Sequence, residues 1–317
     1  MSLLGWSGPA WGEPSAASRS PVPLRSAVVA ADAGYRADGG CTGHLSVLGA
    51  SVVGVGHRLA RRRCEDAFGW VLVTPDVLFL VVADGVSNAR RGGDGAEIAV
   101  RAACRAALHF AGTAERDGKT SGPAPAGSQG GPDEPFGRSL CLNCLVEANE
   151  ELRSAAGALG VEPTDLSTTV VMAAVSSRGE EAAVDVACVG DSAAFVLSGQ
   201  EWLQAAPPGD GVGEEAVGGA LRATATPVLP SPAPGEVSGV DLAAVALAAG
   251  EVLVLMTDGV AEPLREGPTT VAPAMAKLLA RATAGGLSPL GLAEAIDFSR
   301  RGCQDDRTLV ATWLTPG

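Results

Sequence analysis

The chain has 317 residues, with 23 Lys and Arg against 36 Asp and Glu, and a formal net charge of -13. That balance counts against a nucleic-acid-binding surface, which needs a basic stripe to meet phosphates, and no apolar run reaches the ~20 residues of a membrane span. The seven cysteines are scattered rather than set out as a disulfide framework, and the N-terminus shows no basic start followed by an apolar core, so a cytoplasmic protein is expected.

Residues 1–43 are rich in Pro, Ser, Ala and Gly without a sustained period and are expected to form a flexible N-terminal arm, with residues 44–317 as one domain. A strand over 45–55 precedes a short basic run, His57 to Arg63 (HRLARRR), which suits an anion better than a duplex, and then Glu65-Asp66. A second strand over 67–73 turns at Thr74-Pro75-Asp76 into VLFLVVADG (77–85), too short and too β-branched for a helix, so the two make a hairpin. The spacing of Ile98, Ala102 and Leu108 predicts a helix over 96–110, and the Gly, Pro, Ser and Ala of 111–135 predict an exposed, disordered insertion. A helix over 136–159 follows, on which Cys141 and Cys144 read as small apolar residues, since no second pair stands at zinc-like spacing. Strands are expected over 166–175, 182–189, 193–197, 252–257 and 308–314, a Gly/Pro-rich loop over 201–239, and helices over 271–284 and 289–300. Strands at the centre and helices in pairs give a β-sheet core with helices outside rather than strict βαβ alternation.

Three apolar strands end in an aspartate: Asp84 in VLFLVVADG, Asp191 in VDVACVGD and Asp258 in VLVLMTDG. A carboxylate delivered by a buried strand needs a compensating charge, and three such deliveries suggest one shared site. With Glu65, Asp66 and Asp305 they form an all-oxygen donor set that suits Mg²⁺ or Mn²⁺, and the three histidines include no ligand-spaced pair that would suit zinc. Two such cations sharing a carboxylate can activate water and hold a phosphoryl group.

The ordered set RRRCEDA (61–67), VVADGVS (81–87), LSTTVVMAAV (166–175), VACVGDSAAFVL (186–197), VLMTDGVAE (254–262) and CQDDRTLVATW (303–313) resembles the metal-dependent Ser/Thr protein phosphatases, the protein phosphatase 2C or PPM family, over residues 45–314. The resemblance implies an α+β fold, a four-layer α/β/β/α sandwich of two antiparallel sheets flanked by helices. It implies hydrolysis of phosphoserine and phosphothreonine by a metal-bridging hydroxide, with two Mn²⁺ or Mg²⁺ ions and a weaker third. Asp84 matches the bridging carboxylate, Gly85 (through its carbonyl) and Glu65 match ligands of the second metal with Asp66 beside them, Asp258 and Asp305 match ligands of the first, and Asp191 matches a ligand of the third, near Glu262. Arg61, four residues before Glu65, matches the phosphate-binding arginine, although Arg58, Arg62 and Arg63 crowd it; His57 reads first as a structural histidine and second as a phosphate-side candidate. Asp306 stands where the family usually has Asn and reads as a turn residue or as a support for the ligands beside it; Thr168 and Thr169 read as structural. Val86, where some members carry a proton-donating His, cannot donate a proton. The partners implied are a phosphoprotein substrate and a Ser/Thr kinase pathway, with no nucleic acid or membrane and a monomeric state. A pseudophosphatase that binds phosphoproteins and a hydrolase of small phosphoesters are the alternatives.

Overall fold

The computed structural model describes residues 34–42, 44–116, 136–206, 226–233, 235–265, 271–298, 300 and 302–315. Eleven strands among these form two antiparallel sheets. One has the order β1-β2-β11-β10-β7-β8: Tyr35–Cys41, Leu45–Val52, Arg307–Leu314, Val252–Met256, Ala193–Ser198 and Glu201–Ala206. The other has the order β3-β4-β5-β6-β9: Asp66–Thr74, Val77–Gly85, Thr168–Arg178, Glu181–Val189 and Val240–Ala248.

Strand β4 shows why its sequence is continuously apolar. Leu78, Leu80 and Val82 point into the layer between the sheets, where they meet Val171, Leu253, Leu255 and Val310. Phe79, Val81 and Ala83 point the other way, onto helices α2 (Gly92–Arg116) and α3 (Phe136–Leu159). A strand covered on both faces cannot alternate with polar residues, and each such side chain contributes about 1.5–3 kcal/mol of burial free energy. On the far side, α4 (Asp258–Arg265), α5 (Val271–Thr283) and α6 (Pro289–Ile296) cover the outer face of the first sheet through Val260, Leu264, Met275, Leu279, Leu292 and Ile296. The result is the expected four-layer sandwich.

Cys141 and Cys144 are fully buried on the sheet-facing side of α3, and all seven cysteines are free. Burial pushes both thiols well above their ordinary range, as suits apolar packing residues.

Several boundaries differ from the sequence expectation. Tyr35–Cys41, placed in the arm, forms β1 because the edge of β2 offers it a ladder from Tyr35↔Val52 to Cys41↔Ser46. The first strand stops at Val52, and Val55–Leu59 forms a short helix, α1. Helix α2 runs on to Arg116, into the expected insertion, whose residues 117–135 lie outside the described set. Glu201–Ala206, assigned to a loop, is strand β8, paired with β7. Strand β9 and helix α4 were not expected: VDLAAVALA is too alanine-rich to read as a strand, and pairing along β6 overrides that propensity. Helix α6 ends at Ile296 with Asp297 as its C-cap rather than running to 300. Residues 1–33 of the arm and 207–225 of the long loop lie outside the described residues.

Candidate active site

Strand ends bring the acidic residues together at one end of the sandwich. Strand β3 opens at Asp66 and β4 closes at Asp84-Gly85, and the hairpin register sets Asp66 directly opposite Asp84. Gly85 N donates to Glu65 O at 3.1 Å, which makes Glu65 and Gly85 backbone neighbours. From the other sheet, β10 ends at Met256 and α4 starts at Asp258, while Asp305 and Asp306 immediately precede β11. Thr257 ties the two sheets: its Oγ1 donates to Asp66 Oδ2 at 2.9 Å and accepts from Thr308 N at 3.0 Å. Asp191 follows the end of β6 and is half-buried, and Glu262 is exposed on α4. Thr168 donates to Asp84 O at 2.7 Å and Thr169 bonds Ser192 at 2.8 Å, so both hold backbone and strand ends, as expected.

Two glycines let the Asp305-Asp306 segment reach this place. A Cβ on Gly54 would lie 2.3 Å from the Asp305 carbonyl, and one on Gly259 would lie 2.0 Å from Asp306 O. Backbone meets backbone at both points, so only glycine fits.

The electrostatics of the cluster are those of a site built for a cation. Burial raises the Asp66 carboxyl well above its ordinary value, with Asp306 adding to the effect and a bond from Thr257 opposing it. Burial also raises Asp84, reinforced by Asp66, Asp258 and Asp305. Asp258 is pushed up to about 6, first by burial; its hydrogen bond with Asp84 opposes the shift, and Asp305, Asp191 and Glu262 add to it. Asp84 and Asp258 can hydrogen-bond each other only by sharing a proton. Asp258 Oδ1 and Glu65 Oε2 are buried acceptors without a donor. Stranded acceptors of this kind are costly unless something positive meets them, and the donor set is the hard-oxygen one that Mn²⁺ and Mg²⁺ take. The residues therefore fit such ions. Asp258, Glu262 and Asp305 line a cleft of about 190 Å³ that also borders Cys303 and Gln304.

The basic run divides its work. Arg58 holds Asp297 through two bonds of 2.7 and 3.0 Å, Arg62 holds Glu65 Oε1, and Arg63 holds Asp94. Arg61 is exposed at φ 55°, in the left-handed region, and has no ion-pair partner among the described residues.

Asp306, read from the sequence as a turn residue or a support for the ligands, is the second of these. It is 1% exposed; Gly54 N donates to its Oδ1 at 2.6 Å, and Glu65 N and His57 Nδ1 donate to its Oδ2 at 2.5 and 2.9 Å. It is therefore the organiser of the segment that carries Glu65, not a simple turn residue. The signal available was a second acidic residue directly before a strand that is buried on every position.

Comparison with known proteins gives the family. The family model for protein phosphatase 2C matches residues 53–295. The chain belongs to the protein phosphatase 2C family. Asp305 and Asp306 lie beyond the matched segment, and the fold brings them to the site. Among solved structures, the S. agalactiae serine/threonine phosphatase is similar at 17% identity and a TM-score of 0.52, covering 85% of this chain and 99% of that one. PppA of Pseudomonas aeruginosa is similar at 18% identity and a TM-score of 0.47, covering 86% and 99%. The catalytic domain of the protein phosphatase PstP, solved in complex with two manganese ions, is similar at 16% identity and a TM-score of 0.49, covering 86% and 99%. At 17% identity the likeness to the S. agalactiae phosphatase bears on the fold. No curated protein matches the chain in sequence.

Proposed function

We propose that this protein phosphatase 2C member is a metal-dependent protein serine/threonine phosphatase that hydrolyses phosphoserine and phosphothreonine in protein substrates. Glu65, Asp66, Asp84, the Gly85 carbonyl, Asp258 and Asp305 would hold two Mn²⁺ or Mg²⁺ ions, and Asp191 would help to hold a weaker third. The observation that carries the reading is the gathering of the buried carboxylates Asp66, Asp84 and Asp258 at one place, with Asp258 Oδ1 and Glu65 Oε2 left as stranded acceptors.

When bound, the ions supply Lewis acidity that neutralises phosphoryl oxygens and lowers the pKa of water. The chain's own residues do the rest. Asp84 links the hairpin half of the site to the Asp258 half, and Thr257 and Asp306 fix the carboxylates in place. Arg61, the one arginine of the basic run without a carboxylate partner among the described residues, is available to hold the substrate phosphate as a two-pronged donor. Val86 cannot protonate the leaving oxygen, so water or another residue would do so. A cytoplasmic kinase pathway is the setting proposed for such an activity, and no described helix is long and apolar enough to cross a membrane.

The test is phosphate release from a phosphothreonine peptide with Mn²⁺ and with excess chelator. Turnover with Mn²⁺ and none with chelator is expected. Metal binding without turnover would instead make the protein a phosphoprotein-binding module, and turnover confined to small aryl phosphates would make it a small-phosphoester hydrolase.

A further inference from the structure

The side of the site nearest Glu65 contains a nitrogen as well as oxygens. Asp306 accepts at both carboxylate oxygens from donors on Gly54, Glu65 and His57. A ring nitrogen of His57 and carboxylate oxygens of Asp305 and Asp306 lie within 4.8 Å of one another. What Asp306 does is orient His57. Because Nδ1–H donates to a carboxylate, the neutral ring carries its lone pair on Nε2. A carboxylate behind the ring is the arrangement that aims histidines at metals.

Nε2 lies 3.8 Å from Glu65 Oε2, the buried acceptor that has no hydrogen-bond donor. That gap is too long for a hydrogen bond. Two donors each ~2.1 Å from one cation stand roughly 3.0 Å apart when adjacent and ~4.2 Å apart when opposite, and the observed gap falls between these. Both side chains are only 12% exposed, so the space between them is shielded from water. The helix that carries His57 is also pinned on its other side. Arg58 is clamped by Asp297, which accepts a further bond of 2.7 Å from the Tyr35 hydroxyl.

We infer that His57 is a nitrogen ligand, through Nε2, to the divalent cation that Glu65 holds, and that Asp306 is the residue that positions it. The inference rests on the two-metal reading above and deepens it. One imidazole among oxygens disfavours Mg²⁺, which prefers oxygen and water, relative to a first-row transition metal.

Pulsed electron paramagnetic resonance on the Mn²⁺-loaded wild-type protein tests this directly. Modulation from a directly bound ¹⁴N nucleus is expected, and it should vanish in His57→Gln. By calorimetry, His57→Gln should weaken Mn²⁺ binding by about tenfold or more and Mg²⁺ binding by much less. Mn²⁺ bound without nitrogen coupling overturns the inference and leaves the phosphatase reading standing; no Mn²⁺ binding at all overturns both. Coupling that persists in His57→Gln assigns the nitrogen to another residue and overturns the inference. So does a variant whose metal binding is unchanged while its phosphopeptide affinity falls, since His57 would then serve the substrate. If His57→Gln fails to fold, the wild-type spectrum decides alone.

Discussion

Arg61 combines two properties that rarely coincide by accident: a left-handed backbone on a side chain that gains nothing from it, and a guanidinium without a carboxylate partner among the described residues. Strain of this kind, costing on the order of 1–2 kcal/mol, persists where a side chain has work to do. The two effects separate in Arg61→Gly. That variant should be more stable than wild type by up to about 1 kcal/mol, yet lose roughly tenfold or more in kcat/KM on a phosphopeptide, with Mn²⁺ affinity nearly unchanged. A variant that keeps full activity would move the phosphate site elsewhere in the basic run. Asp84 is the opposite case, a buried carboxylate facing others. Asp84→Asn removes the charge that joins the two halves of the site and should lower turnover by at least about a hundredfold, which steady-state kinetics at saturating Mn²⁺ would show. Asp84, Asp191 and Asp258 stood out in the sequence because each ends an apolar run. Asp306 did not: nothing in CQDDRT says that its carboxylate turns inward to three donors from a segment some 250 positions away.

At the scale of elements, legibility followed burial. β4 announces itself as a short, β-branched apolar run and α3 by apolar positions at helical spacing, whereas β1 and β9 form through the strands they pair with and carry little signal of their own. The start of α4 was hidden for a related reason, since VLVLMTDG reads as a strand that simply stops. That start is where the element sets the chemistry. Gly259, in its first turn, lies so close to Asp306 O that a methyl group there must displace the segment preceding β11. Gly259→Ala should therefore cost about 1–3 kcal/mol in denaturant unfolding without metal. It should also weaken Mn²⁺ binding, because Asp305 and Asp258 would be pushed out of register. Unchanged metal affinity in a destabilised variant would show that the contact matters to the fold alone.

Over the whole molecule, the raised carboxyls give stability a definite pH dependence. Burial holds Asp66, Asp84 and Asp258 protonated above the ~4 at which the unfolded chain releases those protons. The folded, metal-free protein thus binds more protons than the unfolded one. Its stability must fall as pH rises from ~4 through the value of about 6 for Asp258 and beyond. A metal ion competes with those protons and should reverse the trend. In chelator, the melting temperature is expected to drop by about 3 °C or more between pH 5 and pH 8, and excess Mn²⁺ should abolish the drop; a flat profile in chelator would show that the carboxyls are not held protonated. The division of ligands between sheets has a mechanical consequence as well. Asp66 and Asp84 belong to one sheet, and Asp258 and Asp305 to the elements that end the other, so once rising pH ionises these carboxyls like charges press the two layers apart at this end, with the Thr257–Asp66 bond among the ties across the seam. A cation seated there turns that wedge into a rivet: under a load that pulls the sheets apart, this end should be the first to part without metal and among the last with it.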